Sequence, residues 1–131
     1  LFLWPINIYI TGSIDYLMKA LIIDDSQFMR AALKKIISSS VDDINEAGDL
    51  AEAVEKFRQF QPDIVFLDIM MENTDTGVSI LKELRDINAE VKVVIVSSLG
   101  IDNTLVQKAF QMGITGYVQK PFKEEHVKKY L

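Results

Sequence analysis

The chain has 131 residues, no cysteine, a single histidine and a formal charge of −5 from 14 basic and 19 acidic side chains. The absence of cysteine excludes disulfides, thiolate metal sites and cysteine nucleophiles, and one histidine leaves little room for a histidine-based metal site or a hydrolase triad. The scattered Lys and Arg argue against direct nucleic-acid binding, and a hydrophobic content of 49% fits one domain with an ordinary core.

Residues 1–17, LFLWPINIYITGSIDYL, carry one charge, Asp15. Their apolar part is about ten residues long and broken by Pro5 and Asn7, too short to insert across a bilayer, which takes roughly twenty. A basic leader and a cleavage pattern are also missing. Three origins fit this extension: a start set upstream of Met18 or a cloning remnant, the tail of a preceding domain, or an apolar arm packing on a neighbour. Residues 18–131 read as one complete domain, so deletion of 1–17 is expected to leave folding intact.

From Met18 onward short apolar runs alternate with amphipathic stretches. Lys19 to Ile23 is a strand that runs into Asp24 and Asp25. Ser26 caps a helix whose stripe is Phe28, Met29, Ala32, Leu33, Ile36 and Ile37, continuing through Ser38. Ile44 to Ala47 is a weak strand, followed by a helix on Leu50, Ala53, Val54, Phe57 and Phe60 that Pro62 ends. Asp63 to Leu67 is an apolar run of the kind buried on both sheet faces, and it ends on a carboxylate, Asp68. After the polar loop comes a helix from Gly77 to Ile87, then a strand from Val91 to Val96 ending on Ser97 and Ser98. A helix on Leu105, Val106, Ala109, Phe110 and Met112 stops at Gly113 in the C-cap position. Gly116 to Gln119 is a last short strand ending at Lys120 and Pro121, and Lys123 to Leu131 is a final helix. His126, among Glu124, Glu125, Lys128 and Lys129, reads as a solvated helix residue.

Five strands alternating with five helices imply a single doubly wound α/β domain around a parallel sheet. Ligands of such sheets sit beyond the carboxyl ends of the strands, where Asp24, Asp25, Asp68, Ser97 and Lys120 all fall. Three clustered carboxylates raise one another's pKa and are stable as anions only beside a cation; oxygen-only ligands favour a hard ion, Mg²⁺ before Ca²⁺. A carboxylate nucleophile beside a cation, an ammonium and a hydroxyl fits phosphoryl transfer. Taken singly, each of these residues has an ordinary explanation as an exposed, capping or turn group, and their common edge is what weighs against it.

IIDDSQFMR at 22–30, PDIVFLDIMM at 62–71, VVIVSS at 93–98 and GYVQKPF at 116–122 together resemble the response-regulator receiver domain family, with the DDSxFMR form closest to its chemotaxis branch. The resemblance covers Met18 to Leu131. It implies a flavodoxin-like (βα)5 fold with strand order 2-1-3-4-5, and a cytoplasmic two-component phosphoacceptor rather than a dedicated enzyme. In that family pattern Asp68 accepts a phosphoryl group from a histidine kinase. Asp24, Asp25, Asp68 and the backbone carbonyl of Met70 hold Mg²⁺, and Ser97 and Lys120 contact the phosphoryl oxygens. Ser97 and Tyr117 form a switch that alters the α4-β5-α5 face for a downstream protein target, and the Lys120–Pro121 bond is cis. The molecule would be a monomer or a phosphorylation-dependent dimer, either standing alone or belonging to a longer regulator. Tyr117 reads equally as an aromatic covering the sheet edge.

The match departs from the family at Glu72, where Pro is common, and at Gly77, one residue further from Asp68 than usual. The span from Ser97 to Lys120 is also one residue longer than the commonest spacing. Met70 and Leu99, both apolar, stand two residues beyond the acceptor and the hydroxyl, and are expected to shield the phosphoryl group from water. A haloacid-dehalogenase-type phosphatase would want a second Asp where Met70 stands. A flavin-binding protein would want a phosphate-cradling loop where Asp24 and Asp25 stand.

Overall fold

The computed structural model describes residues 17–71 and 74–131. The elements are β1 (Lys19–Ile23), α1 (Gln27–Ile37), β2 (Asp43–Ala47), α2 (Leu50–Phe60), β3 (Ile64–Leu67), α3 (Thr76–Ile87), β4 (Lys92–Ser97), α4 (Thr104–Gln111), β5 (Gly116–Gln119) and α5 (Glu124–Lys128). All strand pairs are parallel, and the sheet order is β2-β1-β3-β4-β5, the flavodoxin-like order implied by the resemblance.

Strand alternation divides the core into two layers. Leu21, Ile23, Val65, Leu67, Val93 and Ile95 face Ala53 and Phe57 of α2, Leu81 and Leu84 of α3, and Val106 and Ala109 of α4. Ala20, Ile22, Ile64, Phe66, Val94, Val96 and Val118 face Leu33 and Ile37 of α1 and Val127 of α5. The four residues of β3 are buried throughout because helices cover both of its faces.

Several boundaries differ from the sequence expectation. Asp63 lies outside β3 and is exposed; its carboxylate accepts from Lys19 N at 2.8 Å, starting the β1–β3 ladder instead of joining it. Asp43 joins β2, and Ser97 is the last residue of β4 rather than its sequel. The third helix begins at Thr76, one residue before Gly77. Phe28, placed on the buried stripe of α1 by periodicity, is 79% exposed, and Phe110 is also exposed. Met112 caps α4, and Gly113 follows it at φ 85°, the left-handed position that favours glycine.

The last helix stops at Lys128, short of the expected Leu131, because Tyr130 turns onto the sheet edge. A Cβ on Gly116 would lie 2.1 Å from its ring, so β5 needs glycine there for this packing. The question of residues 1–17 lies, up to Tyr16, outside the described residues, as does Glu72. Met18 belongs to the fold: its N donates to Asp42 Oδ2 at 2.6 Å and its carbonyl accepts from Asp42 N at 2.8 Å.

Candidate functional site

The strand register assembles the site. Ile23 pairs with Leu67, so Asp24 and Asp68 leave neighbouring strands at the same level, at the point where strand order reverses between β1 and β3. Leu67 pairs with Ile95, and Ser97 pairs with Gln119, which brings Lys120 to the same edge.

Oxygens of Asp24, Asp25 and Asp68 all lie within 4.8 Å of one another, with Asp24 and Asp68 buried and Asp25 exposed. Lys120 Nζ bridges the two buried acids, donating to Asp24 Oδ2 at 2.8 Å and to Asp68 Oδ2 at 3.2 Å. Asp68 Oδ1 accepts from Met70 N at 3.1 Å. Asp24 is held at each of its polar atoms: its N donates to the Ala47 carbonyl, Oδ1 accepts from Ser26 N, Oδ2 from Lys120, and its carbonyl accepts from Arg30 Nη1.

Burial raises the Asp68 pKa above the ordinary carboxylate value; the Lys120 charge opposes this and the nearby Asp24 adds to it, leaving the net shift upward. Burial alone would lower Lys120, but its hydrogen bond to Asp24 and the charges of Asp68 and Asp24 outweigh it and raise the ammonium. For Asp68 the cost of leaving water therefore outweighs the favourable charge of Lys120. Its donors are carboxylate oxygens alone, a set suited to a hard divalent cation, so the residues present could hold a metal.

Ser97 is fully buried, and its Oγ accepts from Leu99 N at 3.2 Å. Tyr117 is half-buried; its hydroxyl donates to the Leu99 carbonyl, and its ring centroid lies 6.4 Å from that of Phe110. Burial, then the charge of Asp102, raises its pKa. Ser97 and Tyr117 thus meet at the backbone of one residue, Leu99. The Lys120–Pro121 peptide is cis. His126 stands apart from the acids, exposed, with Nδ1 accepting from Lys123 N at 3.4 Å.

The acceptor loop turns back at once: Thr74 N donates to the Met71 carbonyl at 2.9 Å, and Met71 bridges to Thr74 and Asp75. α3 then starts against the backbone of the loop, since a Cβ on Gly77 would fall 2.3 Å from the Asp68 carbonyl oxygen. Gly77 thus meets the backbone of Asp68 and Ile69. Arg30 of α1 and Glu46 of β2, which brace the site, carry no sequence signal beyond an Arg one turn into the helix that follows the paired acids.

A doubly wound parallel sheet with buried acids, a hydroxyl and an ammonium at its switch-point edge defines a flavodoxin-like domain built to handle charge at that edge. Residues 20–131 match the model of the response regulator receiver domain, and the chain belongs to that family. It is similar to the chemotaxis protein CheY of Bacillus subtilis (strain 168), 36% identical over 110 residues, 83% of this chain and 90% of that protein. Among solved structures it is similar to a chain of the CheX–CheY–BeF3–Mg²⁺ complex from Borrelia burgdorferi, with a TM-score of 0.78 and 31% identity over 92% of this chain and 89% of that one. It is also similar to the response regulator domain of Thermotoga maritima CheB, with a TM-score of 0.73 and 31% identity over 88% and 91%. The chain is thus a receiver domain of the two-component, chemotaxis-related kind. Among the described residues, no helix is long and apolar enough to cross a membrane.

Proposed function

We propose that the domain accepts a phosphoryl group on Asp68 from the phosphohistidine of a kinase, and that this modification changes the surface it offers to a downstream protein. The observation that carries this reading is the bridging of Asp24 and Asp68 by Lys120 within a carboxylate triad at the sheet edge. In the transfer, an Asp68 carboxylate oxygen attacks phosphorus, the bond from phosphorus to the imidazole nitrogen breaks, and the imidazole leaves as the neutral ring once it takes a proton. Lys120 stays beside the carboxylate and meets the charge that spreads over the phosphoryl oxygens. Ser97 exchanges its acceptor role toward Leu99 N for donation to a phosphoryl oxygen.

Asp24, Asp25, Asp68 and the Met70 carbonyl would hold Mg²⁺, which when bound supplies charge neutralisation at the transferring group. The domain takes part in its own phosphorylation and dephosphorylation and is not a dedicated enzyme. Residues 18–131 would be the folding unit, cytoplasmic, acting as a monomer or as a dimer that forms on phosphorylation.

The switch follows from Leu99. Drawing the Ser97 hydroxyl toward a phosphoryl group releases Leu99 N, and the Leu99 carbonyl holds Tyr117, so the two positions respond together. Beryllofluoride with Mg²⁺ should shift amide resonances of Leu99, Tyr117 and β5 in the wild type but not in Asp68→Asn. Shifts of equal size in both proteins would refute the reading.

A further inference from the structure

Three of the four holds on Asp24 come from its own loop, from the neighbouring strand and from Lys120; the fourth reaches in from α1. Arg30 Nη1 donates to the Asp24 carbonyl at 2.6 Å while Nε donates to Glu46 Oε1 at 3.0 Å. The guanidinium is mostly buried, and Glu46 is fixed in turn: Lys34 Nζ lies 3.5 Å from its Oε2, and Lys56 Nζ donates to its carbonyl at 2.5 Å. Gly48 leaves the path clear, since a Cβ there would stand 3.3 Å from Arg30 Nη1 and 3.9 Å from the Asp24 carbonyl oxygen.

The carbonyl that Arg30 grips belongs to the peptide joining Asp24 to Asp25. Displacing that carbonyl would shift the backbone segment from which both side chains project, one buried and one exposed. A fork with two donors at fixed spacing can hold a carbonyl and a carboxylate together, which a lysine ammonium does less well. We infer that Arg30, braced by Glu46, is a positioning residue that sets the Asp24–Asp25 peptide so that both acids engage a divalent cation. This deepens the receiver reading and rests on it.

Charge and position predict opposite signs. Acting only as a positive charge near the pocket, Arg30 would oppose cation binding, and its removal would tighten it. Acting by position, its removal loosens binding, and Arg30→Lys loosens it too although the charge remains.

The test is a Mg²⁺ titration of wild type, Arg30→Met and Arg30→Lys, read by the amide shifts of Asp24, Asp25 and Met70 and by the rise in melting temperature that Mg²⁺ produces. Melting in EDTA reports any general loss of stability. Both variants are expected to bind Mg²⁺ about tenfold more weakly, the lower end of the range for groups that orient metal ligands, with a smaller Mg²⁺-dependent rise in melting temperature than wild type. Arg30→Lys covers the case in which Arg30→Met does not fold. Affinity equal to or tighter than wild type in Arg30→Lys overturns the inference alone. A wild type that shows no Mg²⁺-dependent shift overturns the receiver reading with it.

Discussion

Lys120 Nζ stands between Asp24 Oδ2 at 2.8 Å and Asp68 Oδ2 at 3.2 Å, joining residues 96 and 52 positions away in the chain. The ammonium is mostly buried, so solvent does little to screen the pair. Replacement by methionine keeps the stem and leaves two buried carboxylates facing each other. Lys120→Met is expected to cost about 3 kcal/mol of stability in EDTA, as for other buried pairs broken on one side. Part of that loss should return on adding Mg²⁺. Denaturant unfolding with and without the ion measures both quantities; a loss that Mg²⁺ does not reduce would separate the lysine from the cation site.

Asp68 links stability to pH. Its folded pKa is raised, chiefly by burial, so the charged form opposes folding. That penalty is absent below the unfolded value of 3.8, grows as pH rises through the folded pKa, and is fully present above it. Asp68→Asn should therefore melt higher than wild type at neutral pH in EDTA, and the difference should shrink toward about pH 4. Lys120 adds no competing change in this window, because its raised pKa means its contribution is lost only as pH climbs above the ordinary lysine range. Melting curves across pH check the sign; an advantage for Asp68→Asn that is constant with pH would contradict it.

Gly77 meets the acceptor loop more closely than any side chain allows. An added Cβ would lie 2.3 Å from the Asp68 carbonyl oxygen and 2.4 Å from Ile69 Cα, both backbone atoms of a buried segment. Gly77→Ala should cost about 2–3 kcal/mol through overpacking and should displace Asp68 along with the loop. Its Mg²⁺ affinity should fall as well as its stability, which calorimetric titration would show.

Met70 and Leu99 are half-buried against the core layer of α2, α3 and α4, and the backbone of each is tied to the site through Asp68 Oδ1 and Ser97 Oγ. On the proposed reading, apolar side chains at these positions would restrict in-line approach of water to a phosphoryl group on Asp68. Met70→Asn and Leu99→Glu should each shorten the phosphoryl lifetime several-fold, measured as loss of label after the donor is removed. Lifetimes as long as wild type would show that the shielding lies elsewhere.

Much of this fold was legible because strands covered on both faces read as apolar runs, as β3 and β4 do, and because each strong strand ends on a chemically distinct residue. The edge strand β2 was faint for the converse reason: Asp43 is exposed, and Ile44, Asn45 and Glu46 are only half-buried on a partly uncovered strand. Phe28 was misplaced because helical periodicity fixes a stripe but not how far the neighbouring layer extends over its first turn. The end of α5 depended on Tyr130 filling the space above Gly116, a fit between two elements that no local pattern encodes. The hold of Arg30 and Glu46 on Asp24 joins three elements through side-chain reach and left no periodic trace. The five residues at the sheet edge were legible, while what orients them was not.

The central claim, that Asp68 is the phosphoacceptor, is tested most directly by intact mass. Wild type, Asp68→Asn and Lys120→Met would be incubated with acetyl phosphate, with Mg²⁺ or with EDTA. Wild type should gain the mass of one phosphoryl group only with Mg²⁺, Lys120→Met should gain it more slowly, and Asp68→Asn should gain none. A phosphoryl group of the same yield on Asp68→Asn, or no gain on the wild type with Mg²⁺ and donor in excess, would contradict the account.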